Sequence, residues 1–350
     1  MPKFKRCFNA LFILVILAML LLSSCDKNNI KENNKPVSQN RFLLGTIVTI
    51  KIYDNASDKL FDEIFNRLQE IENKMTINGK NSEIIQVNFN AGKEFTKVSD
   101  DTFYVVEKGK YFSELSGGKF DISVGPLVKL WNIGTEETKV PEKWQIDKKK
   151  SLVDYNSVLL NSKEKSIMLK KEEMMLDLGG IAKGYAADEV SKILKENHVK
   201  HAIVNLGGNV LAYGNKPDGS KWRIGIQKPF APRGDYAGVV SVINKAVVTS
   251  GIYERYFEEN GKIYHHILDP ETGYPVENNL MSVTIITDKS IDADSLSTSV
   301  FAMGLKEGLN LIEKLDNTEA IFITKDSKIY LTSGLKNSFK LTDNSLNIVD

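Results

Sequence analysis

Between residues 202 and 332 the chain returns again and again to short apolar runs, with room for helices between only some of them. AIVNLGG, WRIGIQ (222–227), GVVSVI (238–243), AVVTS (246–250), KIYHHIL (262–268), SVTIIT (282–287), AIFIT (320–324) and KIYLT (328–332) each read as a strand. Helices are predicted at about 291–304 and 305–315. Strands clustered in runs, with helices interspersed irregularly, argue for the α+β class and against a regularly alternating parallel sheet. Nearer the N-terminus, Val48, Ile50 and Ile52 alternate with Thr49 and Lys51, which predicts a half-buried strand over 46–53. Ser57 is placed to cap a helix on which Leu60, Phe61, Ile64, Phe65, Leu68, Ile71 and Met75 recur at three- and four-residue spacing. Ser99 is placed to cap another that stops at Gly117 and Gly118, and a further helix runs to about Lys195.

Ahead of this body, Lys3, Lys5 and Arg6 precede an unbroken apolar run from Ala10 to Leu22. The run is shorter than the roughly 18 residues of a spanning helix, so residues 1–24 read as a signal peptide. It closes in Leu22-Ser23-Ser24-Cys25, which resembles the lipobox of bacterial lipoproteins, in which the cysteine is lipidated, as by palmitate, and becomes the new N-terminus. The plainer alternative is a cleaved signal followed by an incidental cysteine. The polar stretch DKNNIKENNKPVSQN then makes residues 25–40 a lipidated Cys25 with its tether, and 41–350 the globular domain. That arrangement puts the protein on the extracytoplasmic face of the bacterial membrane.

Cysteine and charge exclude several classes. Cys7 and Cys25 are the only cysteines, which leaves the body without a disulfide, a zinc finger or an iron–sulfur site. Removing Lys3, Lys5 and Arg6 from the 46 basic residues leaves 43 against 45 acidic, a net of −2. With no long basic stripe, nucleic acid is not an expected partner, and Lys148–Lys150 and Lys170–Lys171 read as solvated loop charges.

Four stretches could carry chemistry. DLGGIAKGYAAD (177–188) sets a glycine pair and Lys183 before a helix, a geometry that can cradle phosphate or serve only as a turn; it is not a Walker-type loop. In SIDADSLSTSVFAMG, Asp294 and Thr298 lie four apart and share one helix face. They could meet a hard cation, or could be a first-turn carboxylate and a threonine bonded back to a carbonyl. His265 and His266 in YHHILDPETGYP point to opposite sides of a strand, so at most one faces any given pocket; each could move a proton or be a structural hydrogen bonder. Asp121, between Phe120 and Ile122 in GGKFDISVGPLVKLW, needs a partner that a ligand or a backbone cap could supply, and Gly125-Pro126 reads as a turn.

Taken in order, LGT (44–46), MTINGKNSEIIQVN, GGKFDISVGPLVKLW, DLGGIAKGYAAD, VNLGGNV, WRIGIQKP, TSGIYERYF, YHHILDPETGYP and ADSLSTSVFAMG resemble the ApbE-type FAD:protein FMN transferases over some 260 residues. The resemblance implies mixed, largely antiparallel sheets with packed helices, related to the T-fold, and a flavin cleft between two lobes. It implies transfer of FMN from FAD to a threonine or serine hydroxyl of acceptor flavoproteins of membrane or extracytoplasmic electron transfer, with AMP released. Mg²⁺, or Mn²⁺, would be held by Asp294, Thr298, the carbonyl of Gly180 and nearby Ser297. Leu44, Asn78, Lys119, Phe120, Asp121, Lys183 and Leu268 would line the FAD site, supported by Asp177, and His266 would be the base. Asn78 departs from the family, where many members carry an aromatic residue able to stack on the nucleotide. That departure keeps open a Mg²⁺-dependent FAD pyrophosphatase, and a non-catalytic FAD-holding lipoprotein is a third reading.

Overall fold

The computed structural model describes residues 35–349. The signal segment, Cys25 and the tether up to residue 34 lie outside the described residues. The strands are β1 (Val37–Leu43), β2 (Thr46–Ile52), β3 (Thr96–Lys97), β4 (Val158–Asn161), β5 (Ser166–Leu169), β6 (His201–Leu206), β7 (Asn209–Gly214), β8 (Trp222–Gln227) and β9 (Tyr236–Val242). They continue with β10 (Lys245–Gly251), β11 (Tyr256–Glu259), β12 (Lys262–His265), β13 (Leu280–Thr287), β14 (Glu319–Thr324), β15 (Lys328–Leu331), β16 (Phe339–Leu341) and β17 (Asn347–Val349). The helices are α1 (Asp58–Met75), α2 (Glu83–Phe89), α3 (Asp100–Leu115), α4 (Gly125–Trp131), α5 (Lys143–Lys150), α6 (Ala182–Glu196), α7 (Ser290–Met303) and α8 (Leu305–Ile312).

Nine strands form one sheet in the order β1-β2-β6-β7-β10-β13-β14-β15-β17. Its pairings are antiparallel except β15 with β17. The fold is therefore α+β with largely antiparallel sheets. Side-chain alternation sorts the sheet into two faces. Val48, Ile50, Val204, Ile285 and Phe322 join the main core with helix residues such as Phe61, Leu68, Val190 and Val300. Val247, Ile286, Ile321 and Ile323 point the other way, into a second core with Trp222, Val240 and Phe339 of the small sheet β16-β9-β8. Burial on both faces explains why β13 and β14 read as nearly continuous apolar runs. A third cluster, Leu127, Trp131, Ile146 and Leu268, is seated beneath the β11–β12 hairpin, whose Phe257 and Tyr264 stack at 5.2 Å.

Several boundaries differ from those read in the sequence. β1 starts at Val37, so residues 37–40, assigned to the tether, belong to the sheet; the strand is at its edge and mostly exposed, so its residues need not be apolar. Pro126 sits at the start of α4, where its missing N–H costs nothing, and the expected turn is a helix start. Lys148–Lys150 are the last turn of α5, where cations favour the helix dipole, rather than loop charges. The strand expected to reach Leu268 stops at His265, because β12 has only the four-residue β11 to pair with.

Candidate active site

The site is organised by the crossing of α6 over α7. A Cβ at Gly184 would lie 2.3 Å from the carbonyl oxygen of Ser290, so only glycine lets the two helices approach this closely. From α6, Asp188 accepts the N–H groups of Ser290 (2.8 Å) and Ile291 (3.0 Å) and caps α7, which has no capping side chain of its own. Burial raises the Asp188 carboxyl to about 6, against the opposing pull of those two N–H groups. Asp294, 5% exposed, accepts the N–H of Gly184 through Oδ2 at 2.9 Å.

Behind Asp294, α7 presents hydroxyls to β10. Ser250 Oγ lies 2.8 Å from Ser297 Oγ and 3.2 Å from Thr298 Oγ1. Ser297 also donates to the carbonyl of Asp294 at 2.9 Å, so its hydroxyl is held within the protein. The glycine turn closes over this face: a Cβ at Gly180 would lie 3.6 Å from Thr298 Oγ1 and 3.0 Å from the ring of Phe120. Two segments more than a hundred residues apart thus meet at one place. No cluster of three or more His, Cys, Asp and Glu side chains suited to a metal exists among the described residues. One buried carboxylate, hydroxyls and the Gly180 backbone give an all-oxygen set, which fits a hard divalent ion and does not fit a soft one.

Lys183 connects this oxygen face to the rest of the site. Its ammonium stands 3.9 Å from Asp294 Oδ1 and donates to the carbonyl of Gly179 at 3.1 Å. Asp177 accepts the N–H of Gly179 at 2.6 Å. Desolvation raises the Asp177 carboxyl, while that N–H and the charges of Lys183 and Arg255 act in the opposite direction. Asp177 therefore fastens the turn from below.

The two adjacent histidines have different surroundings. His265 is 5% exposed, lies edge-on to Phe301, and donates from Nε2 to the carbonyl of Val276 at 3.0 Å. Desolvation lowers it to about 4. His266, half-buried, places Nδ1 3.3 Å from the carbonyl oxygen of Arg255, which also accepts its N–H at 3.1 Å. A carbonyl can only accept, so Nδ1 carries the proton and Nε2 keeps a lone pair. Desolvation, then the cations Arg255 and Lys183 together with His265, lower His266 to about 3. It is a neutral imidazole with its basic nitrogen uncommitted by that bond.

The other candidate residues fall into two groups. Phe120 is buried against Gly180, and Lys119 pairs with Glu271 at 3.0 Å, tying its turn to the loop after Leu268. Leu268 packs in the cluster of Leu127, Trp131 and Ile146. Leu44 sits at positive φ beside Gly45, where a Cβ would be 3.8 Å from an Arg255 guanidinium nitrogen. Asp121 is used as a backbone cap: it accepts from Ser123 N and Oγ, both at 2.7 Å, and from Tyr155 N at 3.0 Å. Asn78 is exposed in the turn after α1, with its N–H on Thr76 Oγ1, and no hydrogen bond joins it to the other candidates among the described residues.

The ApbE family model matches residues 44–322, a span that contains every site residue named above. The chain belongs to the ApbE family. The FAD:protein FMN transferase of Klebsiella pneumoniae is 36% identical over 91% of this chain and 99% of its own length. That of Treponema pallidum is 32% identical over 87% and 89%. Among solved structures, the ApbE protein of Thermotoga maritima superposes with a TM-score of 0.79 at 32% identity, covering 86% of this chain and 98% of its own. The flavin transferase ApbE of Vibrio cholerae gives 0.76 at 29%, covering 87% and 99%. In this ApbE chain the structure adds three residues that the motifs left unassigned: Ser250, Arg255 and the capping Asp188. Ser250 and Arg255 both lie in TSGIYERYF, but only the pairing of β10 with β13 and the β11–β12 hairpin brings them to the site.

Proposed function

We propose that this chain is a FAD:protein FMN transferase that moves FMN from FAD to a threonine or serine hydroxyl of an acceptor flavoprotein, releases AMP, and works from the extracytoplasmic face of the membrane, anchored at Cys25. The observation that carries the reading is the closure of the Gly180 turn onto Thr298, with Lys183 and the Gly184 N–H that follow it meeting Asp294. Asp294, Thr298 and the Gly180 backbone would hold Mg²⁺ or Mn²⁺, with Ser297 and Ser250 fixing the hydroxyl row. Such an ion, when bound, neutralises the diphosphate and polarises the phosphorus under attack.

The chain's own residues supply the remaining steps. His266 Nε2 takes the proton of the acceptor hydroxyl as its oxygen bonds to the FMN phosphorus; the bond from phosphorus to the bridging oxygen breaks, and AMP leaves with the electron pair. Desolvation first, and then the charges of Arg255 and Lys183, hold His266 neutral before FAD arrives. An incoming diphosphate offsets those two cations, so the base gains proton affinity when substrate is present. Phe120 and Leu268 would contribute apolar wall, Leu44 and Lys119 would border the FAD site, and Asp121 and Asp177 hold its turns.

Purified enzyme incubated with FAD, Mg²⁺ and an acceptor flavoprotein should give an acceptor heavier by one FMN and an equal amount of AMP. Exposed Asn78, which cannot stack on a nucleotide ring, makes the acceptor-free arm informative. Rapid AMP formation without acceptor would identify a pyrophosphatase instead, and no AMP in either arm would identify a binding protein.

A further inference from the structure

Arg255 lies in TSGIYERYF without a role assigned from the motif, yet its surroundings are those of a ligand-binding cation. It follows β10 and precedes β11, and its carbonyl takes both the main-chain N–H and the ring Nδ1–H of His266. The side chain runs past two glycine turns: a Cβ at Gly134 would lie 3.6 Å from its Cδ, and one at Gly45 would lie 3.8 Å from a terminal nitrogen. Both glycines have positive φ, 94° and 66°, so these turns present bare backbone to the guanidinium. Arg255 is exposed, and among the described residues no carboxylate comes within ion-pair distance of it. The same residue holds His266 through its carbonyl, so the cation belongs to the turn that positions the imidazole. An arginine held beside a base and a glycine turn, with five donors and no acidic partner, is arranged to receive a planar or tetrahedral oxyanion.

We infer that Arg255 is a substrate-binding residue of this site, its guanidinium clamping a phosphate oxygen of the dinucleotide diphosphate on the side opposite the Asp294 oxygen face. The inference rests on the functional reading above and names a contact that reading leaves open. On this account Arg255 acts in two ways: its carbonyl fixes the tautomer of His266, and its side chain binds the group whose phosphorus is attacked. The first role uses the backbone and survives substitution; the second does not.

The test is direct titration of wild-type enzyme, R255Q and R255K with FAD in the presence of Mg²⁺, read by flavin fluorescence, with thermal melts of all three. Loss of a charge-assisted hydrogen bond should weaken FAD binding by about tenfold or more in R255Q, and KM should rise more than kcat falls. Lysine keeps the charge without the fork, so R255K should recover part of the affinity. Because the side chain is exposed, the melting temperatures should agree. If R255Q melts lower, R255K decides: recovered affinity upholds the inference, and no recovery overturns it in favour of a packing role over Gly45 and Gly134. Wild-type and R255Q binding FAD within twofold of each other overturns the inference alone, whereas wild-type enzyme that binds no FAD overturns the functional reading with it.

Discussion

Helix α6 touches two clusters of charge, and they are built on opposite plans. Toward α1 and α3, Arg67 meets Asp101 at 2.7 Å, Glu189 at 2.6 Å, Glu70 at 2.9 Å and the Tyr185 hydroxyl at 3.2 Å, with Lys74 on Asp101 at 2.8 Å. Hydrogen bonds that Arg67 donates to Asp101, Glu189 and Glu70 outweigh burial and raise it further, while Arg67, Lys74 and Tyr185 hold Asp101 well below the usual carboxylate range despite desolvation. Toward α7 the same helix offers Lys183, 3.9 Å from Asp294, and beyond it Arg255, which makes no ion pair among the described residues. The first cluster is complete in the protein alone and can only stabilise. The second holds a cation that the protein's own carboxylates leave without a direct ion pair, and such a cation is what an anionic substrate completes.

Substitutions can break this comparison from either side. The largest effect is expected at Asp294→Asn, which can keep an acceptor for Gly184 N–H but removes the charge: FMN transfer should fall about a thousandfold, with little change in melting temperature. An Asp294→Asn enzyme that transfers normally would show that the oxygen face is structural. His266→Ala should lower transfer about a hundredfold or more while leaving FAD affinity within a few-fold, measured by acceptor mass and by flavin fluorescence. Transfer by His266→Ala at the wild-type rate would remove imidazole from the mechanism.

Arg67→Met should act in reverse. It leaves Asp101 and Glu189 without their main partner and should cost about 3 kcal/mol in denaturant unfolding, with transfer per folded molecule unchanged. The smallest effect concerns His265, lowered to about 4 from an unfolded value near 6.5. The unfolded chain binds the proton first, so this contribution is complete above about pH 7 and is lost as pH falls from about 6.5 toward 4. Between pH 7 and pH 5, wild-type enzyme should therefore lose more thermal stability than His265→Leu does, by on the order of 1 kcal/mol. Equal losses would show that His265 does not titrate with unfolding.

What the sequence revealed follows from the range of the forces involved. Sequence pattern located α1, α6, α7 and the strands β2, β6, β10, β13, β14 and β15 of the central sheet because their apolar side chains answer to large cores, but not β1, β7 or β17. It missed α2, α4 and α5, helices of seven or eight residues whose few buried side chains leave almost no periodic signal. The oxygen face was legible as Asp294 and Thr298 at a four-residue spacing, yet that spacing alone fits a helix start equally well. The return of Gly180 onto Thr298, a contact across more than a hundred residues, is what the proposed ion site rests on beyond that spacing. Asp121 shows the converse: its apolar neighbours marked a carboxylate in need of donors, and the donors turned out to be Ser123 and Tyr155. Arg255 was not legible, because an arginine in an exposed turn looks the same whether it faces water or a substrate.

In the proposed function a divalent ion held at Asp294 would also contact the diphosphate. Mn²⁺ titrated into enzyme with FAD, followed by pulsed electron paramagnetic resonance, reads that contact as hyperfine coupling to phosphorus. The account predicts phosphorus coupling in the wild type, its loss in Asp294→Asn, and no transfer in EDTA. Bound Mn²⁺ without phosphorus coupling, together with undiminished transfer in EDTA, would contradict it.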